Sequence, residues 1–404
     1  MSERIDTVVV GAGQAGLATS HHLTQLGVEH VVLERGRVGE TWRSERWDGF
    51  YLNTPNWTLQ LPGGEYAGDR PDDFMPLAGM IGYIEGYAAA VRAPVCEQVG
   101  VERLRPRPGG FTLETSSGAI EAERVVVATG AFQQPTAPPA GAGLPADVFQ
   151  LHTSRYRNPE SLPDGAVLIV GSGQSGCQIG DELLAAGRRV YLAVGRCTWF
   201  PRSLRGRDFV HWAIELGLMD DRVESLPSPE ARLACNPAVS GNDDGHDCNP
   251  RTLAAAGAIL VGRVEGCADG RVRCGPGLHE ALANGDAFAA AFRTRVDEHV
   301  TAQGLDAPED PPAEPEPVPE PRAELDLRAE EIGTVLWATG FRPDPSWIDL
   351  PLADEVGWPR QRDGFTEFPG LAFVGLQWLR KRKSALLFGV GEDAELVASR
   401  LASR

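Results

Sequence analysis

No two cysteines of this sequence stand at Cys-x-x-Cys spacing. The seven, Cys96, Cys177, Cys197, Cys235, Cys248, Cys267 and Cys274, are scattered and odd in number. That pattern argues against a disulfide framework, a zinc cage or a redox-active disulfide. No apolar run approaches the roughly 18 residues of a membrane span. The first strand pattern starts within a few residues of Met1, which leaves no room for a secretion signal, so a cytoplasmic protein is expected. Positive charge is scarce too: 38 Lys and Arg face 56 Asp and Glu, a net charge of -18. The basic face that a nucleic acid or an anionic membrane requires is not expected, and the acidity reads as a source of solubility. Neither a catalytic triad nor a metal site stands out. Asn236 to Pro250 reads as an irregular loop whose Asp243, Asp244, His246 and Asp247 match no ligand spacing of a known cage.

Against these absences stand two copies of one phosphate-cradling motif, Gly11-Ala12-Gly13-Gln14-Ala15-Gly16 and Gly171-Ser172-Gly173-Gln174-Ser175-Gly176. A lone G-x-G-x-x-G is weak, but each copy has the right context. Before the first runs Thr7-Val8-Val9-Val10, a buried-strand pattern, and Leu17 to Leu26 reads as a helix closed by Gly27. The next strand, His30 to Leu33, delivers Glu34 where an acid hydrogen-bonds an adenosine ribose. Glycines permit close approach of backbone N–H groups to a pyrophosphate, and the helix N-terminus adds partial positive charge.

The second unit repeats this with one change. Ala166 to Val170 is the strand and Cys177 to Ala186 the helix, but the following strand, Val190 to Val194, ends at Arg196 where the first ended at Glu34. A carboxylate would repel a 2′-phosphate, and a guanidinium can bind it bidentately. Arg202, Arg205 and Arg207 follow closely, so the stretch reads either as an anion site that favours NADPH over NADH or as a basic solvated loop.

At 404 residues the chain exceeds the ~250–300 at which single cores stop growing, so two or so domains are expected, one per dinucleotide. A further echo sets their order. Val125 to Gly130 and Val335 to Gly340 are both strands ending in Ala-Thr-Gly, one after each nucleotide unit. The fold expected is α/β, with two Rossmann-like domains. A discontinuous FAD domain takes 1–155 and 325–404, and an NADPH domain, 156–324, is inserted between them. Pro76 to Val91 reads as a helix with Leu77, Ile81, Ile84 and Tyr87 on its apolar face, and Val99 to Glu123 as a strand pair. Asp306 to Arg322, rich in Pro and Glu, reads as an extended connection. Gly370 to Gly375 is a strand, and Ser384 to Ala398 a helix carrying Gly389 and Gly391, which points to a close neighbour: a flavin ring or a tightly packed element.

Together with Gly39-Glu40-Thr41-Trp42, His152-Thr153-Ser154-Arg155-Tyr156 and Pro369 to Gly375, these motifs resemble the flavin-containing monooxygenase superfamily over nearly the whole chain. The similarity is to short bacterial members and to plant indole-3-pyruvate monooxygenases. The resemblance implies that NADPH reduces FAD, that O₂ adds to give a C4a-peroxyflavin, and that one oxygen atom passes to a small-molecule substrate. It implies a flavin site of Gly11, Gly13, Gln14, Ala15, Gly16, Glu34, Thr41, Trp42, Val99, Ala128, Thr129, Gly130 and Gly375. The NADPH site would comprise Gly171, Gly173, Gln174, Ser175, Gly176, Arg196, Arg202, Ala338, Thr339 and Gly340. Asn53 lies where the family often places a flavin-proximal asparagine, the alternative being a polar residue that opens a turn before Pro55. Trp42, Trp47 and Trp57 line the cavity or form satellite core.

The chain also departs from the pattern. Val148 stands where the family's interdomain motif has glycine, and Phe149 is too close to His152. Tyr156 stands where Baeyer–Villiger enzymes carry Trp, which favours attack on nitrogen or sulfur over ketone-to-ester chemistry. His152 reads as a hinge and positioning residue. A reductase that never oxygenates, a Baeyer–Villiger or decarboxylative monooxygenase and a nucleotide-sensing regulator are the competing readings, and a homodimer is left open.

Overall fold

The computed structural model describes residues 3–240, 245–311 and 320–403. Asp243, Asp244 and residues 312–319 of the Pro- and Glu-rich connection lie outside them.

Two sheets organise the chain. The first has seven strands in the order Val95–Cys96, His30–Leu33, Glu3–Val10, Gly118–Val127, Gly110–Thr115 and Val101–Arg107, with Leu371–Phe373 also paired to Gly118–Val127. The second has five, Phe149–His152, Ile332–Trp337, Ala166–Val170, Val190–Ala193 and Ile259–Val261, all parallel. Parallel strands covered on both faces read as unbroken apolar runs, and Ala166–Val170 is buried at every position. The stretch expected as a strand pair is three strands, because the hairpin continues into Gly118–Val127.

The first sheet draws on residues 3–127 and 371–373, and the second on 149–337. Both junction strands therefore pair within the second sheet, although they lie outside the range 156–324 expected for the inserted unit. The sequence reading split these strands from their sheet because a strand's partners are set by long-range pairing. A small antiparallel sheet, Val264–Ala268, Arg271–Cys274 and Glu324–Asp326, completes the second unit.

Helix Gln14–Gln25 packs on the first sheet against helix Val390–Ala402, with Leu17, Leu23, Val397 and Leu401 fully buried between them. The last helix begins six residues later than the sequence suggested, with Gly389 as its N-cap. A Cβ at Gly389 would lie 2.2 Å from the Lys383 carbonyl oxygen, and one at Gly391 2.7 Å from Pro62 Cγ. Packed protein is thus the close neighbour these glycines serve. Helix Leu77–Ala90 buries Met80 and Ile84 completely, while Leu77 and Ile81 stay half-buried.

The two nucleotide loops share one packing device. A Cβ at Gly16 would lie 1.9 Å from the Gly11 carbonyl oxygen, and one at Gly176 2.0 Å from that of Gly171. Gly16→Ala is therefore expected to cost about 1–3 kcal/mol by overpacking. Gly82→Ala, at an exposed helical site where a Cβ meets nothing within 4 Å, is expected to gain about 0.5–1 kcal/mol. Unfolding midpoints in urea check both, and shifts of the same sign would overturn the packing account.

Candidate active site

The two loops open into one cleft of about 830 Å³ between the sheets. In the first loop, Gly11 has φ +105°, and a Cβ there would sit 2.8 Å from the Ala128 carbonyl oxygen. Ala128, Thr129 and Gly130 thereby line the cleft beside Gly11, Gly13, Gln14 and Ala15. Glu34 is buried beneath the loop, its carboxylate accepting the N–H groups of Ala12 at 2.8 Å and Gly36 at 2.9 Å. Val99 donates its N–H to the Glu34 carbonyl at 2.8 Å and lines the same end of the cleft. Thr41 and Trp42, on the short helix Glu40–Ser44, and Gly375, at the end of Leu371–Phe373, close this part of the wall.

The second loop repeats the arrangement. Gly171 has φ +111° and faces the Ala338 carbonyl oxygen, 2.4 Å from where its Cβ would be. Gly173, Gln174, Ser175, Ala338, Thr339, Gly340 and Arg196 all line the cleft. Arg196 is exposed toward it and makes no ion pair with a described residue. The loops differ at their middle glycines: a Cβ at Gly13 would meet nothing within 4 Å, whereas one at Gly173 would lie 3.3 Å from Cys235 Cβ. The matching glutamines each staple their loop to a distant segment, Gln14 Nε2 donating to the Ala385 carbonyl at 2.7 Å and Gln174 Nε2 to that of Val239.

Asn53 lies on strand Tyr51–Pro55 and lines the cleft, and its side-chain amide makes no hydrogen bond with a described residue. Its backbone carbonyl accepts from Arg202 Nη1 at 2.9 Å. Arg202 is a correction to the sequence reading. Its guanidinium is buried between the Phe74 and Phe209 rings, paired with Asp208, and lies away from the cleft. Burial lowers its pKa, opposed by Asp208. Arg205 and Arg207 are likewise engaged, with Asp297 and Glu215. Of the basic cluster only Arg196 reaches the cleft, because the chain turns inward after it.

Other expected residues divide as well. Gly16 and Gly176 form no part of the cleft wall; they allow each helix to approach its own loop. Trp42 and Trp47 line the cleft, but Trp57 stacks on His211 with ring centroids 4.3 Å apart, and packs on the core around Trp212. Tyr156 is fully buried, its hydroxyl donating to Glu182 Oε2 at 2.7 Å. His246 pairs with Asp181 at 2.9 Å, and Asp247 accepts the Arg202 N–H. Sequence reasoning missed Arg46, Phe50, Leu52, Gln178, Trp378 and Arg382 on the cleft wall. Most sit on irregular segments without a period or a spacing to mark them.

Comparison with known proteins bears on this geometry. Residues 8–207 match the family described as pyridine nucleotide-disulphide oxidoreductase. The oxidoreductase CzcO-like of Geobacillus kaustophilus is 33% identical over 398 residues, 98% of this chain and 97% of that protein. Indole-3-pyruvate monooxygenase YUCCA1 of rice, Oryza sativa subsp. japonica, is 31% identical over 206 residues, 49% of this chain and 50% of its own. Among solved structures, the flavin-containing monooxygenase from Stenotrophomonas maltophilia superposes with a TM-score of 0.68 at 18% identity, covering 99% of both chains.

His152 ties the end of its own strand to the turn that follows the neighbouring strand of the second sheet. Its Nδ1 accepts the Ser154 N–H at 3.2 Å, which leaves Nε2 to donate to the Gly340 carbonyl at 3.1 Å, at the end of the second Ala-Thr-Gly. The ring also meets Phe341 edge-on at 4.7 Å. Burial lowers its pKa, countered in part by the Gly340 bond. A histidine whose folded pKa lies below the unfolded value of ~6.5 adds stability above that pH, and the contribution is lost as pH falls toward the folded value. His152 is therefore expected to be neutral, with the proton on Nε2, at pH 7 and to titrate below 6.5. Nitrogen chemical shifts of the imidazole check this; a midpoint at or above 6.5 would overturn it.

Proposed function

From the premise that the chain belongs to the flavin-containing monooxygenase superfamily, we propose that it uses FAD and NADPH to transfer one oxygen atom of O₂ to a nucleophilic nitrogen or sulfur of a small molecule. The observation that carries this reading is that two glycine cradles of matching geometry open into one cleft, with Asn53 on its wall.

The residues fit the two cofactors. Gly13 has φ -86°, open to any residue, and no protein atom would obstruct a Cβ there. Neither conformation nor internal packing calls for glycine; the free space faces the cleft, where a diphosphate would meet backbone N–H groups at the helix N-terminus. Glu34 stands under the same loop for the adenosine ribose, and the cleft-facing Arg196 offers an unpaired fork to a 2′-phosphate. When bound, FAD supplies the hydride acceptance and O₂ reactivity that the protein lacks.

The rest falls to the chain. The Gly11–Gly16 and Gly171–Gly176 loops orient the two dinucleotides toward a shared space. Trp42, Trp47, Phe50 and Leu52 give that space an apolar wall that displaces water. Asn53 offers an uncommitted amide N–H there, a preorganised donor for charge that develops on oxygen. The departure at Tyr156 from the Baeyer–Villiger pattern favours a nitrogen or sulfur target by resemblance, since the side chain itself is buried outside the cleft.

Two outcomes follow. Arg196→Ala is expected to weaken NADPH by about 1.5–3 kcal/mol more than NADH, through loss of a charge-assisted contact. Arg202→Ala is expected to act on both coenzymes alike, by way of stability. Dissociation constants for both nucleotides check this, and equal losses in the Arg196 variant would overturn its assignment. If Asn53 is the donor, Asn53→Ala should release hydrogen peroxide roughly 10²–10³-fold sooner when the NADPH-reduced enzyme meets O₂. Stopped-flow mixing with a peroxide-coupled readout measures this; an unaltered release rate would remove Asn53 from the site.

A further inference from the structure

Four arginines line the cleft: Arg35, Arg46, Arg196 and Arg382. Two form ion pairs, Arg35 with Glu45 at 3.6 Å and Arg382 with Asp221 at 3.0 Å. Arg196 and Arg46 have no carboxylate within ion-pair reach among the described residues. The reading above spends Arg196 on the 2′-phosphate. Arg46 is left over.

Its setting is built. Nη1 donates to the Glu45 carbonyl at 3.0 Å, and the guanidinium carbon lies 5.2 Å from the Trp42 ring centroid and 5.8 Å from that of Phe50. The backbone beneath is held from the second unit: Arg157 Nη1 donates to the Arg46 carbonyl at 3.2 Å, and Asp48 N–H donates to the Arg157 carbonyl at 2.8 Å. Trp47, next in sequence, is buried in the second unit's core. The side chain is thus anchored at its base and aimed into an apolar part of the cleft, with most of its five N–H donors uncommitted. The desolvation of this cation is opposed in part by the charge of neighbouring Glu45, which forms no ion pair with it, and an anion from solution that does pair would offset more of the cost.

We propose that Arg46 is the anchor for an anionic substrate: it takes the carboxylate of a small organic acid as a bidentate pair, while the acid's apolar body lies against Trp42, Phe50 and Leu52. This rests on the oxygenase reading of the cleft. A cofactor phosphate could supply the same anionic chemistry, but Arg46 stands on neither glycine loop and its walls are aromatic, which suits a carbon skeleton carrying one charge.

Two pairs of probes test the site, phenylacetate with phenylacetamide and 3-phenylpropionate with its amide, each pair matched in shape and differing in charge. Calorimetric titration of the holoenzyme is expected to give the acid of at least one pair a ten-fold or greater advantage over its amide. Arg46→Gln is expected to abolish that advantage, and Arg46→Lys, which keeps the charge but loses the fork, to retain part of it. Equal binding of acid and amide in both pairs, or no binding of any probe, would overturn the proposal. So would an Arg46→Gln protein that keeps the acid preference but binds NADP⁺ ten-fold more weakly, because the anion would then be the coenzyme's. Flavin absorbance of the same preparations separates the two readings: colourless wild-type protein that still prefers the acid keeps the anion site and overturns the flavin assignment.

Discussion

In each half of the molecule the first turn of a helix rests on a loop carbonyl, and that loop rests on the carbonyl just past the end of a neighbouring strand, with no side chain between them. Gly16 meets Gly11, and Gly11 meets Ala128; Gly176 meets Gly171, and Gly171 meets Ala338. These contacts bring three chain segments within van der Waals distance and leave the helix N-terminal N–H groups pointing outward. The Ala-Thr-Gly that follows each strand is the other wall of the contact, which is why it recurs. Ala128 N–H bonds the Val10 carbonyl and Ala338 N–H that of Val170, both at 2.9 Å, so strand pairing runs straight into the cradle.

The two cradles would be independent were it not for residues 44–53. This segment belongs in sequence to the first unit, yet its side chains and backbone are bolted to the second. Trp47 and Phe50 lie in the second unit's core, Asp48 accepts from Asn158 Nδ2 at 2.7 Å, and a Cβ at Gly49 would lie 2.2 Å from Glu182 Oε1. Arg202 completes the attachment from the far side by holding the Asn53 carbonyl. Breaking that arginine's pair would leave Asp208 buried and unpaired, a change of the kind that costs about 3–5 kcal/mol. The stiff join has a chemical use. Residues that face the cleft from this segment keep their position relative to both loops, whatever the two units do elsewhere.

What was legible in the sequence is what depends on neighbours in sequence. The strand–loop–helix units at Val10 and Val170, the ends at Glu34 and Arg196, and the paired Ala-Thr-Gly strands are local patterns with a fixed period or spacing, and the structure places them along one cleft. What was misplaced or left open needed partners far away. Arg202 looked like its neighbour Arg196, but Asp208, Phe74 and Phe209 draw it inward. The glycines at 389 and 391 pointed to a close neighbour, which is Lys383 backbone and Pro62. Trp47 and Trp57 pack on different cores, and only Trp47 also reaches the cleft wall. Arg46 had no sequence signal, since what distinguishes it is its place on the cleft wall without an ion pair among the described residues, which only three dimensions can reveal.

Charge explains why that absence matters. The chain carries -18 overall, so an anionic ligand is repelled at long range, and the repulsion is screened beyond the ~8 Å Debye length of physiological salt. Attraction must then be supplied at contact, inside walls that keep water out and where a single cation counts for more. Two of the four cleft arginines form ion pairs with Glu45 and Asp221, which fixes their shape and offsets part of their charge. The two that form no ion pair among the described residues are well placed to divide the work, one after the strand that follows the second cradle and one against aromatic rings on the segment that joins the units. A cleft so arranged recognises anions by geometry rather than by field. Its selectivity should lie in how long a ligand stays, and little in how fast it arrives.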